Sequence, residues 1–141
     1  MMKITIINGP NLNLTGIREQ NIYGSVGFEE LLAGMKKKFP DVQLDYFQSN
    51  VEGELINKLH EAGLATDGII LNAGGYTHTS VALADAVAAI KAPVVEVHLS
   101  NIFSREDHRH VSYVGAKCLG SISGFGIQSY ELALTALLTR K

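Results

Sequence analysis

The sequence predicts an α/β protein whose five parallel strands form one open, doubly wound sheet with helices on both faces. Three observations predict it. Short β-branched runs without charge, Ile4-Thr5-Ile6-Ile7 first among them, read as strands buried on both sides. Between these runs lie segments whose apolar residues recur at i, i+3, i+4 and i+7, the stripe of a helix packed on one side. The two patterns alternate along the 141 residues, and strands this apolar need a helical layer above and below.

In chain order, the first strand stops at Asn8-Gly9-Pro10, a cluster that offers φ > 0, a fixed φ and a missing N–H. About a dozen polar, glycine-punctuated residues follow, carrying Arg18, Glu19 and Tyr23; most connections are shorter, so the segment from about 9 to 25 reads as a lid. Phe28, Leu31, Leu32, Met35 and Phe39 form one face of a helix ending before Pro40. Val42–Phe47 alternates, as a strand at or near a sheet edge does. Ser49 and Glu52 fit a capping box, opening a helix with Val51, Leu55, Ile56, Leu59 and Ala62 that Gly63 closes. Asp67-Gly68 turns into strand Ile69–Asn72. Gly74-Gly75 then leads through Thr77–Ser80 into an alanine-rich helix reaching about Ile90. Pro93 precedes strand Val94–Leu99, Ser104–His110 is a polar loop or short helix, and Lys117–Ser123 is the last strand. Gly124 and Gly126 introduce a final helix with Ile127, Tyr130, Leu134, Leu137 and Leu138 on one face. Five strands favour the flavodoxin-like order 2-1-3-4-5.

Composition excludes several classes. One domain over residues 1–141 is expected, with 46% apolar and 18% charged residues, an ordinary globular balance. Net charge is −2 and no basic cluster exceeds Lys36-Lys37-Lys38, which suits the last turn of a helix, so no nucleic-acid partner is expected. The single cysteine, Cys118, lies in an apolar strand pattern and rules out an internal disulfide. The apolar start lasts only four residues, so a secretory signal is not expected. Val81–Leu99 is interrupted by Asp85, Lys91, Pro93 and Glu96 and does not read as a membrane span. The expected location is the cytoplasm. Neither phosphate-cradling glycine motif occurs, and no cysteine pair or spaced histidine pair suggests zinc. Asn8 and Asn72 stand where a phospho-acceptor receiver would carry acidic residues.

In a wound sheet, ligands bind outside the carboxyl ends of the strands. Strand 1 delivers Asn8, Asn11 and the segment with Arg18 and Tyr23; strand 3 delivers Asn72 and His78. Strand 4 delivers Glu96, His98, Ser100 and Asn101, followed by Arg105 and Arg109. Glu96 and His98 are two apart on a strand and share a face. A carboxylate there can fix the imidazole's tautomer and raise its pKa, as a general acid requires, or the two can simply satisfy each other. His78 can equally precede a helix capped by Thr79 or Ser80. Each arginine alone reads as solvated surface, whereas three around one mouth suggest an anionic ligand such as a carboxylate. Tyr23 can merely pack the lid, and Asp85 can be the wet face of its helix. His60, His108 and His110 receive no role.

Five motifs in order resemble type II 3-dehydroquinate dehydratase: Asn8-Gly9-Pro10-Asn11-Leu12; Arg18-Glu19 with Tyr23-Gly24; Asn72-Ala73-Gly74-Gly75 with Thr77-His78-Thr79-Ser80; Glu96-Val97-His98-Leu99-Ser100-Asn101; and Arg105-Glu106 with Arg109. The likeness runs from about residue 3 to residue 138. It implies loss of water from 3-dehydroquinate, in the shikimate pathway or in quinate breakdown, without cofactor, metal or Schiff base. By motif position it implies Tyr23 as base, Arg18 and Arg105 as the charges that favour its phenolate, and Asn11 at the enolate. His98, oriented by Glu96, is implied as the general acid. Asn72 with the backbone N–H groups of Leu99 and Ser100 would take the substrate carboxylate, and His78 and Arg109 the ring hydroxyls. Asp85 would reach a neighbouring subunit's site in a dodecamer, a tetramer of trimers. Gln20-Asn21 stand where many members carry proline, and His108 where many carry an aromatic residue. Two other readings compete: a flavin- or nucleotide-binding module, which lacks its phosphate motifs, and a non-catalytic descendant, which would have no chemical reason to keep Tyr23, Arg18, Glu96 and His98.

Overall fold

The computed structural model describes residues 1–14 and 27–140. Five strands, β1 (Met2–Asn8), β2 (Val42–Gln48), β3 (Gly68–Asn72), β4 (Val94–His98) and β5 (Gly120–Ser123), pair in parallel in the order β2-β1-β3-β4-β5. Four α-helices, α1 (Phe28–Lys38), α2 (Glu52–Ala65), α3 (Val81–Ala89) and α4 (Gln128–Thr139), cover both faces. This is the flavodoxin-like order that the sequence predicts.

Although the strands read as continuous apolar runs, their side chains still alternate between faces. Ile4, Ile6, Ile70, Val95 and Val97 pack with Phe28 and Met35 of α1 and with Tyr130, Leu134 and Leu137 of α4. Ile7, Ile69, Leu71 and Val94 point the other way, onto Leu55 and Leu59 of α2 and Leu83 and Val87 of α3. Burial on both faces is why these strands tolerate so little polarity in mid-strand. Polar residues collect instead at their carboxyl ends.

Three local expectations fail, each for a visible reason. Ser49 and Glu52 do not form a capping box. Val51 is the N-cap of α2, Ser49 Oγ accepts Val51 N–H at 2.9 Å and donates to Glu54, and Glu52 accepts the hydroxyl of Ser80. The helix therefore begins two residues later than the motif implies. Gly63 does not close α2, which runs on to Ala65. A Cβ on Gly63 would lie 2.5 Å from Ile90 Cβ, so this glycine permits close packing of α2 on the end of α3. The last strand starts at Gly120 rather than Lys117, and Cys118 is outside it. The amides of Lys117 and Cys118 close a tight turn onto Val114 and Gly115, and ladder pairing begins only with Leu119 N–H on Val94 O at 2.7 Å. The expected Ser104–His110 loop or short helix is two 3₁₀ turns, Ile102–Ser104 and Asp107–Arg109. Ser80 does cap α3, accepting Leu83 N–H at 2.9 Å. No described helix is long and apolar enough to cross a membrane.

Candidate active site

A polar pocket opens beyond the carboxyl ends of β1, β3 and β4, as the topology requires. Among the residues lining it are Asn11, Asn72, His78, His98, Leu99, Ser100, Arg105 and Arg109, all of them expected from the sequence. Glu96 lies behind His98, and Asp85 is exposed on α3 and does not line this pocket. Arg18 and Tyr23 lie outside the described residues.

On the β1 side, Asn11 has φ of 70°, the one positive value among described non-glycine residues. Asparagine tolerates this region better than most residues, and such backbones cluster at functional sites. Its N–H donates to Asn50 Oδ1 at 2.9 Å, while Gln48 donates to Gly9 O at 3.1 Å, so the end of β2 holds the turn. On the β3 side, Asn72 is 3% exposed. Its Oδ1 accepts Gly74 N–H at 3.1 Å and its Nδ2 donates to Tyr130 Oη at 3.0 Å.

On the β4 side, Glu96 is 2% exposed and His98 6%. His98 Nε2 lies 3.4 Å from Glu96 Oε2, within ion-pair range though without hydrogen-bond alignment. The carboxylate is fixed by two more groups: Ser112 donates to Oε2, and Ser121 donates to Oε1 at 2.8 Å. Burial pushes the Glu96 carboxyl up, but His98 and the two serine hydroxyls together outweigh it and hold the group below its usual value. Gly115 completes the cradle. A Cβ there would stand 2.6 Å from Glu96 Oε1 and 2.9 Å from Ser112 Oγ. Ser112 itself accepts Gly115 N–H at 2.8 Å.

The segment that carries Ser112 also fixes the second histidine. Val111 O accepts the Nδ1 proton of His78 at 2.7 Å, which in the neutral ring leaves Nε2 as an acceptor. Tyr113 N–H donates to Thr77 O at 3.0 Å and ties the segment to the turn after β3. The His78 and His98 rings lie nearly parallel, with centroids 6.1 Å apart. Burial, and then repulsion from His98 and Arg109, lower the His78 pKa despite its bond to Val111. Arg109 donates from Nε to Glu106 Oε2 at 2.8 Å, and Arg105 Nη1 donates to Ser100 Oγ at 3.4 Å. Sequence reasoning named the groups facing the pocket but missed Ser112, Gly115, Ser121 and Tyr130, which support them. Gly115 is the one that carried a signal, as a glycine with no turn motif to explain it.

The pocket thus joins amides, an imidazole backed by a carboxylate, and two guanidinium groups, a set suited to an anionic substrate and proton transfer. Among the described residues no group of His, Cys, Asp and Glu could hold a metal ion. The profile of the family described as dehydroquinase class II matches residues 2–138. The chain belongs to that family. It is accordingly an enzyme of the hydro-lyase type. Curated relatives include 3-dehydroquinate dehydratases of Caldicellulosiruptor bescii, 52% identical over 140 residues and 97% of each chain, and of an Exiguobacterium species. The second is 54% identical over 138 residues, covering 97% of this chain and 94% of the relative. Among solved structures, type II dehydroquinase from Butyrivibrio crossotus is 43% identical, with a TM-score of 0.94 over 98% of each chain. That from Propionibacterium acnes is 35% identical with the same TM-score, over 99% of this chain and 98% of its own.

Proposed function

We propose that the protein dehydrates 3-dehydroquinate to 3-dehydroshikimate through an enolate, with Tyr23 as base and His98 as general acid. One observation carries this reading: in a chain of this family, His98, backed by the buried Glu96, faces the same pocket as Asn11, Asn72, Arg105 and Arg109. The base must take a proton from the carbon between the ketone and the carbinol carbon. Electron density moves onto the ketone oxygen, where Asn11 stabilises it. Return of the electrons expels the hydroxyl one carbon further on, and His98 supplies the proton that makes it water. Glu96, kept ionised by His98 and then by its hydroxyl partners, balances the imidazolium before that transfer and holds the ring in place.

A phenol of pKa about 10 acting as base near pH 7 needs its phenolate stabilised by about 4 kcal/mol. Arg18 and Arg105 are assigned that role, as positive charge near the oxygen. Asn72 and the N–H groups of Leu99 and Ser100 take the substrate carboxylate, and His78 and Arg109 the ring hydroxyls. Residues 9–25 act as the lid that excludes water. Asp85, exposed on α3 away from its own pocket, is assigned to a neighbouring subunit's site in a dodecamer. The reaction needs no cofactor and serves either aromatic biosynthesis or quinate breakdown in the cytoplasm.

Mixing the protein with 3-dehydroquinate should generate the ultraviolet absorbance of a conjugated enone. Tyr23→Phe should abolish that signal while leaving the circular dichroism unchanged. A folded wild-type protein that gives no enone would overturn the activity, and full turnover by Tyr23→Phe would overturn the assigned base.

A further inference from the structure

Beneath the pocket lies a buried phenol that the proposed chemistry does not use. Tyr130 of α4 is 1% exposed, and its ring meets Phe28 edge-on at 4.9 Å. Its hydroxyl joins the exits of two strands: Asn72 Nδ2 donates to Oη at 3.0 Å, and Oη donates to Asn8 Oδ1 at 2.8 Å. Asn8 in turn donates from Nδ2 to Tyr46 Oη at 3.4 Å. These directions are mutually required. A phenol has one proton, and an amide oxygen can only accept. With that proton committed to Asn8, the phenol faces Asn72 solely as an acceptor.

The consequence falls on Asn72. Its Oδ1 is turned to Gly74 N–H and one Nδ2 proton to Tyr130, so the second Nδ2 proton remains for the pocket that Asn72 lines. A flipped amide would instead present a carbonyl oxygen to an anionic ligand and repel it. We infer that Tyr130 is a positioning residue for substrate binding: its hydroxyl, anchored on Asn8, locks the Asn72 amide with a donor toward the substrate carboxylate. Burial holds this phenol well above the ordinary tyrosine value, more than its bonds to Asn72 and Asn8 lower it, so the lock keeps its proton throughout the neutral range. The inference rests on the reading that Asn72 takes the carboxylate of 3-dehydroquinate.

The test is a double-mutant cycle on enone formation with Tyr130→Phe and Asn72→Ala. Tyr130→Phe removes one oxygen. It should raise KM about three- to tenfold at nearly unchanged kcat, because a bond to the carboxylate is made equally before and during the reaction. A merely structural role would lower the melting temperature without this split. In the Asn72→Ala background the same change should leave KM where Asn72→Ala alone puts it. Asn8→Leu, close in shape but unable to accept the phenol proton, should raise KM in the same direction and gives a second reading should Tyr130→Phe fold poorly. A KM that rises in Asn72→Ala but stays at the wild-type value in folded Tyr130→Phe or Asn8→Leu would overturn the lock alone. An unchanged KM in Asn72→Ala would overturn the carboxylate assignment and the lock with it.

Discussion

On the β1–β3 wall of the pocket, Asn8, Asn72 and Tyr130 exchange hydrogen bonds between groups that carry no charge. On the β4 wall, Glu96 faces His98 as an anion, and its carboxylate is held by Ser112 and Ser121. Both walls are buried and tightly bonded, yet they answer pH differently. A neutral network whose two phenols, Tyr130 and Tyr46, are both pushed above the ordinary tyrosine value by burial keeps the same geometry from acid to mildly basic solution. The charged wall changes character whenever Glu96 gains a proton. The contrast suits the proposed division of labour, in which neutral groups hold the substrate carboxylate and titrating groups move protons.

Between the two walls, the largest expected effect comes from disturbing the charged one by a single carbon. Gly115→Ala places a Cβ within 2.6 Å of Glu96 Oε1 and must displace the carboxylate that lies 3.4 Å from His98 Nε2. Turnover in the enone assay should fall about a hundredfold, as misplacement by about 1 Å does, while KM changes little. A hundredfold rise in KM with normal kcat would show that the two walls are not separable in this way.

Glu96→Gln keeps the shape and removes the charge. It should lower kcat about tenfold or more by leaving His98 without its anion. It should also change how stability depends on pH. The folded Glu96 pKa is below the unfolded value of 4.5, so its ionised form stabilises the fold fully above 4.5 and less as pH falls through the lowered value. The melting-temperature gap between wild type and Glu96→Gln should therefore be widest near neutrality and close in acid. A gap that widens in acid would reverse the assigned sign.

His78 lies between the walls and should titrate accordingly. Its folded pKa is below 6.5, chiefly through burial, so the neutral ring stabilises the fold above 6.5 and that contribution is lost as pH falls. An NMR titration of the ring should give a midpoint under 6.5, and Arg109→Gln, by removing a repelling charge, should move it upward. The smallest effect belongs to Tyr46→Phe, at the far end of the neutral network. Losing a 3.4 Å bond from Asn8 should cost about 1 kcal/mol or less in thermal unfolding and leave kcat and KM unchanged.

The sequence made legible whatever is written in a short stretch of chain. Uncharged β-branched runs and 3.6-residue stripes reveal strands and helices, and the polar residue ending each strand reveals the pocket because a wound sheet gathers those ends on one edge. It hid what depends on distant contacts. Ser112 and Ser121 look like ordinary loop and strand serines until folding brings them, across 16 and 25 residues, to the same carboxylate. Tyr130 reads as one more apolar position on α4, and only the 122-residue closure onto Asn8 gives its hydroxyl a task. The Ser49–Glu52 motif misled because Val51, not Ser49, begins the helix, which frees Glu52 to reach Ser80.

The most direct test of the account is a crystal structure with 3-dehydroshikimate, the product, in the pocket. Its carboxylate should accept from Asn72 Nδ2 and from the N–H groups of Leu99 and Ser100, with the His98 ring beside the carbon that lost its hydroxyl. Product bound with its carboxylate away from Asn72, or with His98 on the opposite side of the ring from that carbon, would contradict the assignment of the two walls.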